Sequence, residues 1–495
     1  MTELEALGGA DAITTGILQV FGEISRHPHG SWHEEETEKD LMELLTGMGL
    51  SPVRDETGNL MAQVPPTPGM EDRPLLILQG HMDMVCAVRP DSGFDPLTDA
   101  PVLQVSDGFL HTDGRSSLGA DNDLGNAVVL WLLKKGIPHG PLRLLFTVAE
   151  EVGLAGAAKV SPAWLEGAWG LLNTDGFHYG RAIAGSAGGR RETYQRTVET
   201  LPCSGGQSVK LEISGGTGGH SGDDIHRGRL NAIQALAGFL NGRQCSVADF
   251  SGGTAHNAIP SRAEAVVVCP TGEDLSSLRQ AWADFAVQTA EAHRETDPGL
   301  RFTAVETPLP ERVWTADCTR NVLDFAATLF NGVYAMHPDF PAVPGASANV
   351  GKVETEGTAV TVKAFLRCAR RAEEEILAAR HDQNAEAHGF VRSALSSYPG
   401  WPGSKDDPLV RTVCDAFRQV EGREMEVSAV HVGLEPSVLG AKNPSMHMVS
   451  TGPDILDAHS VDERARLDTL PRYAALLAKT IERVKSEDME FAPGE

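Results

Sequence analysis

The sequence predicts an α/β protein of two domains, in which a mixed sheet flanked by helices is interrupted by an inserted, duplicated α+β lid. Three observations lead there. At 495 residues the chain is longer than one compact core comfortably takes. The apolar runs 74–79, 142–148 and 169–172 read as buried strands and alternate with helical segments. The middle of the chain has a different texture, two successive rounds of strand and helix. The expected boundaries are 1–187 and 395–495 for the two pieces of the first domain, and 188–394 for the insert.

Taken in order, residues 34–45 alternate apolar and charged groups at helical spacing, and Gly47 and Gly49 stop that helix. Residues 51–64 predict a hairpin turning at Thr57-Gly58-Asn59. The strand at 74–79 runs into Gly80-His81-Met82-Asp83, and a helix is expected over 124–135. The strand at 142–148 ends at Glu150-Glu151, and the one at 169–172 ends just ahead of Asp175. Ligands of open sheets gather at the carboxyl ends of strands, and each of these three delivers acidic or histidine residues there.

In the insert, strands are expected at 209–214, 254–259, 263–269 and 359–367, with helices at 223–240, 274–294, 318–330 and 371–380. The turn-rich Ser397-Tyr398-Pro399-Gly400-Trp401 marks the return to the first domain, whose remainder supplies His431, Glu435 and His459.

Composition excludes several classes of function. Lys plus Arg number 42 against 68 Asp plus Glu, a formal charge of −26 that repels phosphate backbones and anionic lipid. No nucleic-acid or membrane partner is therefore expected. No window supplies the roughly 20 apolar residues of a bilayer span. The start, MTELEALGGADAITTG, lacks a basic region before an apolar core. Seven cysteines are scattered without CxxC spacing, which argues against a disulfide framework or a cysteine zinc knot. A reducing cytoplasm fits these features.

Several motifs carry chemistry, each with a plainer alternative. His81 and Asp83 lie two apart at a strand end, so both side chains point the same way; a histidine beside a surface acid is the plainer reading. Asp121, after Leu118-Gly119-Ala120, is either a helix N-cap or a carboxylate bridging two metal ions. Glu150 and Glu151 repel each other and are costly to desolvate. Either the strand end is solvated, or a metal takes one while the other acts as general base.

Asp175 repeats the strand-end pattern, and His459 sits in a turn-rich segment. Two histidines and three acidic ligands, with a glutamate to spare, suit two zinc ions sharing a carboxylate. The glycine-rich run 215–222 lacks the GK[ST] ending of a phosphate loop and instead presents His220. Asn257 is a strand-end residue or a substrate ligand, and Arg367 a surface ion-pair partner or a clamp for a peptide carboxylate.

With these residues in view, the chain resembles the zinc-dependent aminoacyl-histidine (Xaa-His) dipeptidases, a branch of the carboxypeptidase- and aminoacylase-like metallopeptidases. The matching stretches are QGHMDMV at 79–85, LGADN at 118–122, AEEVGLAGA at 149–157, LLNTD at 171–175 and GGHSGDDIH at 218–226. GGTAHNAIP at 252–260, SSYPGW at 396–401, HVGLEPS at 431–437 and TGPDILDAHS at 451–460 continue them in the same order.

The resemblance implies a zinc-peptidase catalytic domain in which His81 and Asp175 hold one zinc, Glu151 and His459 the other, and Asp121 bridges them. It further implies Glu150 as general base, Asp83 orienting His81, and His220 polarising the scissile carbonyl. Asp123, where relatives commonly have glycine, the Gly-Phe-His after Asp175, and the ILDAHSVDE setting of His459 depart from the family pattern and bear on substrate preference.

The expected reaction is hydrolysis of dipeptides, Xaa-His or broader and including β-alanyl-histidine, by a di-zinc-activated water. The alternatives are an N-acyl amino-acid amidohydrolase of the same larger family, or a binding protein that has lost catalysis. Cobalt or manganese suits the same ligands. Asn257, Arg367, His431 and Glu435 are the expected substrate-binding residues. Whether the lid serves its own chain or, through a lid-mediated homodimer, a partner stays open.

Overall fold

The computed structural model describes residues 3–485. The chain forms two compact units, one running up to Ser186 and resuming at Trp401, the other Ala187–Gly400.

The first unit is built on an eight-stranded mixed sheet, in the order 53–54, 60–64, 142–147, 75–81, 168–173, 447–450, 181–186 and 426–430. Leu75–His81 lies parallel to both Leu142–Thr147 and Ala168–Asn173, so the carboxyl ends of all three open on one edge. All residues of these three strands but Leu75, Arg143 and Trp169 are buried, which is why they read as continuous hydrophobic stretches rather than alternating ones. The expected hairpin forms between Val53–Arg54 and Leu60–Val64. Its turn is fixed by Asp55, whose Oδ1 accepts the amides of Thr57, Gly58 and Asn59.

Helix Ala10–Ile24 buries Ile13, Ile17, Val20, Phe21 and Ile24, one stripe at helical spacing. The helix expected over 124–135 begins earlier, at Ala120, and every residue from Ala120 to Leu132 is buried. A small four-stranded sheet (455–456, 464–466, 109–112, 103–106) completes this unit. Among the described residues, no helix is long and apolar enough to cross a membrane.

The second unit contains one nine-stranded antiparallel sheet with helices Ala232–Leu240, Gly272–Ala292, Ala316–Thr328 and Arg371–Ala387. The two rounds read from the sequence meet within this sheet, where Gly252 and Gly253 pair with Val353 and Lys352. Two expectations need correction. The strand placed at 254–259 is Ser246–Gly253, and a turn follows it. Its polar sequence, SVADFSGG, hid it from an apolar-run reading. The helix expected over 223–240 covers only Ala232–Leu240, because Gly228 is left-handed and Asn231 caps the amides of Ile233 and Gln234. All seven cysteines are free thiols.

Candidate metal centre

His81 ends the strand Leu75–His81 and is 1% exposed. Its Nδ1 donates to the main-chain oxygen of Asp83 at 2.8 Å, which leaves Nε2 as the outward donor atom. Nε2 lies 3.0 Å from Asp121 Oδ1 and 3.8 Å from Asp175 Oδ1.

Asp121 reaches this point because the chain ahead of it turns tightly. Gly119 is left-handed (φ 76°), and a Cβ there would stand 2.9 Å from Met84 Sδ. Gly80 likewise admits the helix against the strand, since its Cβ would meet Asn122 Oδ1 at 2.2 Å and Asn126 Oδ1 at 2.3 Å. The Gly-His and Gly-Ala-Asp pairings of the sequence therefore have a steric cause.

His459, left-handed at φ 65°, hangs in the hairpin loop between Ile455–Leu456 and Arg464–Arg466. Its Nε2 lies 2.9 Å from Asp121 Oδ2 and 2.9 Å from Glu151 Oε1. Asp121 thus turns one oxygen to each histidine. Ligand-capable atoms converge in three overlapping groups: His81, Asp121 and Asp175; His81, Glu150 and Glu151; Asp121, Glu151 and His459. Within each group those atoms lie within 4.8 Å of one another.

The donor set fits divalent ions. Carboxylate oxygens and imidazole nitrogens suit zinc, and also cobalt or manganese. Burial pushes Glu150 well above the ordinary carboxylate range, and Asp175, Glu151 and Glu435 add repulsion. Burial does the same to Asp175, reinforced by Asp121. Glu151 Oε1 is buried and accepts no well-aligned hydrogen bond. So many carboxylates around two imidazoles call for cations.

Asp83 does more than was read for it. Its oxygens accept the amides of Glu150 (2.9 Å) and Glu151 (3.1 Å) and the hydroxyl of Ser31 (2.7 Å). Its carboxylate is 3.5 Å from His81 Nδ1, so the histidine is held mainly through the main chain and the glutamate pair through the side chain. Asp123 is paired with His29 Nε2 at 3.0 Å and Ser25 Oγ at 2.9 Å, both buried. Glu34 accepts the amide of Ala149 at 2.8 Å. Nothing in the sequence marks Ser25, His29, Ser31 or Glu34 for the site: all lie early in the chain, ahead of the motifs.

Glu435, expected to bind substrate, is fully buried at the start of helix Glu435–Lys442. Its Oε2 accepts from Gln79 Nε2 and from Thr147 Oγ1 at 2.7 Å, and burial pushes it up to about 7. It braces the side chains of two neighbouring strands, Gln79 and Thr147, within electrostatic reach of His81 and Glu150. His431, 4% exposed, follows the strand Glu426–Val430.

Within the second unit, Arg367 and His220 come together, with Nη2 3.1 Å from His220 Nε2. Arg367 is 4% exposed, donates to Ser221 Oγ at 3.3 Å and lies 4.3 Å from the centre of the Phe365 ring. Among the described residues it has no carboxylate within ion-pair distance. His220 Nδ1 is 3.1 Å from Asp223. Asn257 sits in the turn after Ser246–Gly253, its carbonyl accepting the Ser221 amide at 2.8 Å.

The sequence profile of Peptidase family M20/M25/M40 matches residues 77–483. A cytosol non-specific dipeptidase of Escherichia coli K12 is 30% identical over 480 residues, 95% of this chain and 98% of that protein. The crystal structure of an aminoacylhistidine dipeptidase from Vibrio alginolyticus superposes with a TM-score of 0.87 at 30% identity, covering 96% of this chain and 98% of that one. Aminopeptidase PepT from Bacillus cereus shares the fold at a TM-score of 0.54 and 17% identity, over 95% and 98% of the two chains.

Proposed function

The chain belongs to peptidase family M20/M25/M40, and from that premise we propose that it is a cytoplasmic dipeptidase using two divalent ions, zinc foremost. The observation that carries this reading is the split of one buried carboxylate, Asp121 Oδ1 to His81 and Oδ2 to His459. Asp175 completes the first ligand set and Glu151 the second. When bound, the ions polarise the scissile carbonyl and make water a better nucleophile near neutral pH. Glu150 removes a proton from the attacking water and returns it to the leaving amine. Asp83 fixes the backbone of Glu150 and Glu151, and His220 donates to the developing oxyanion.

The test is a panel of Xaa-His, β-alanyl-histidine, other dipeptides and N-acyl amino acids, with and without chelator. Dipeptides should be cleaved, activity should vanish on chelation, and zinc, cobalt or manganese should restore it. Full turnover in strong chelator, or cleavage of N-acyl amino acids alone, would overturn the proposal.

Arg367 is proposed to take the substrate's C-terminal carboxylate, its planar fork being buried with no carboxylate at ion-pair distance among the described residues. A hydrogen bond to a charged group is worth about 1.5–3 kcal/mol, so Arg367→Ala should raise KM about 10- to 100-fold. Discrimination against C-terminally amidated dipeptides should fall with it. Unchanged kinetics on both substrate types would remove Arg367 from that role.

A further inference from the structure

We infer that Glu463 is a positioning residue that straps the loop of His459 to the turn of Asp121 and so holds the second of the two ligand sets together. Glu463 is 3% exposed. Its Oε2 accepts the amides of Leu118 at 2.8 Å and Gly119 at 3.0 Å, and its Oε1 that of Asp121 at 3.3 Å. These donors belong to the tight turn that delivers the shared carboxylate. Glu463 itself closes the loop that carries His459, four residues downstream of it.

The rest of that loop is loosely held. Its other side-chain ties include Arg464 to Asp457 at 2.6 Å, with side chains 39% and 52% exposed, Arg89 to Asp462 at 3.3 Å, 52% and 70% exposed, and Ser460 Oγ to the Asp457 carbonyl at 2.7 Å, also exposed. Such exposed ties contribute little. The His459 side chain is itself 47% exposed. Glu463 is the loop's buried anchor.

The two ligand sets therefore depend on it unequally. His81 and Asp175 issue from neighbouring parallel strands whose register, Gln79 opposite Asn173, is fixed by the sheet. The set of Asp121, Glu151 and His459 is assembled across a turn and a loop, and besides the contact of His459 with Asp121 itself the buried Glu463 carboxylate ties the two together. An amide in its place would turn an N–H toward backbone N–H groups, leaving buried donors unsatisfied.

This inference rests on the two-ion reading above, and metal binding separates the two. Elemental analysis and chelator competition on the wild-type protein come first; fewer than two ions per chain there would sink that reading. Given two, Glu463→Gln is expected to weaken one ion about 10- to 100-fold, the range for outer partners of metal ligands, and to leave the other nearly unchanged. Glu463→Asp, which keeps the charge at shorter reach, should weaken the same ion by less. If Glu463→Gln fails to fold, Glu463→Asp is read in the same assay. Two ions retained at wild-type affinity, or both weakened equally with a lowered melting temperature, would show that Glu463 only stabilises the fold.

Discussion

Glu150→Gln is expected to lower kcat by about 10²- to 10⁴-fold while both ions stay bound, because the substitution removes a proton acceptor and keeps the shape. The assignment rests on the division of work within the pair. Glu151 Oε1 lies 2.9 Å from His459 Nε2, beside Asp121, and belongs to the second ligand set. Glu150 joins only the group with His81 and Glu151. It is half-buried among carboxylates, and desolvation and their repulsion raise its proton affinity, as a general base for water requires. Metal content and kcat measured on Glu150→Gln and Glu151→Gln check this together. Loss of metal in the first variant and retention in the second would reverse the roles.

Asp121→Asn should be more damaging still, because both ligand sets share this side chain. Burial alone would raise its pKa, but the hydrogen bonds from His459 and His81 hold it below the ordinary carboxylate range. An asparagine offers one oxygen and places an NH2 where the other faced a histidine. Fewer than two ions per chain should remain, and kcat/KM should fall by more than about 10³-fold, beyond the 10- to 100-fold typical of an outer partner. Two tightly held ions in Asp121→Asn would refute the bridge.

The readable part of the fold was local. Buried parallel strands announce themselves as short apolar runs, so the acidic and histidine residues at 81, 150, 151 and 175 could be placed at strand ends without coordinates. The insert was less legible. Its Ser246–Gly253 strand is polar on alternate residues and rich in small side chains, and the capping of Ala232–Leu240 rests on one asparagine side chain. The strand Val391–Tyr398 is exposed at nearly every position and gives no hydrophobic signal at all.

The sequence by itself determined which chemistry this protein carries: the ligand types, their strand-end setting and their order along the chain. Only the tertiary structure decided how those groups meet. Asp121 and His459 are 338 residues apart, and no periodicity links them. The pairing of His29 with Asp123, the burial of Glu435 against Gln79 and Thr147 and the grip of Glu463 on the Asp121 turn likewise join distant segments. The physical reason is that strand and helix patterns report which face is buried, whereas a buried carboxylate finds its partners through folding, wherever unsatisfied donors come within reach.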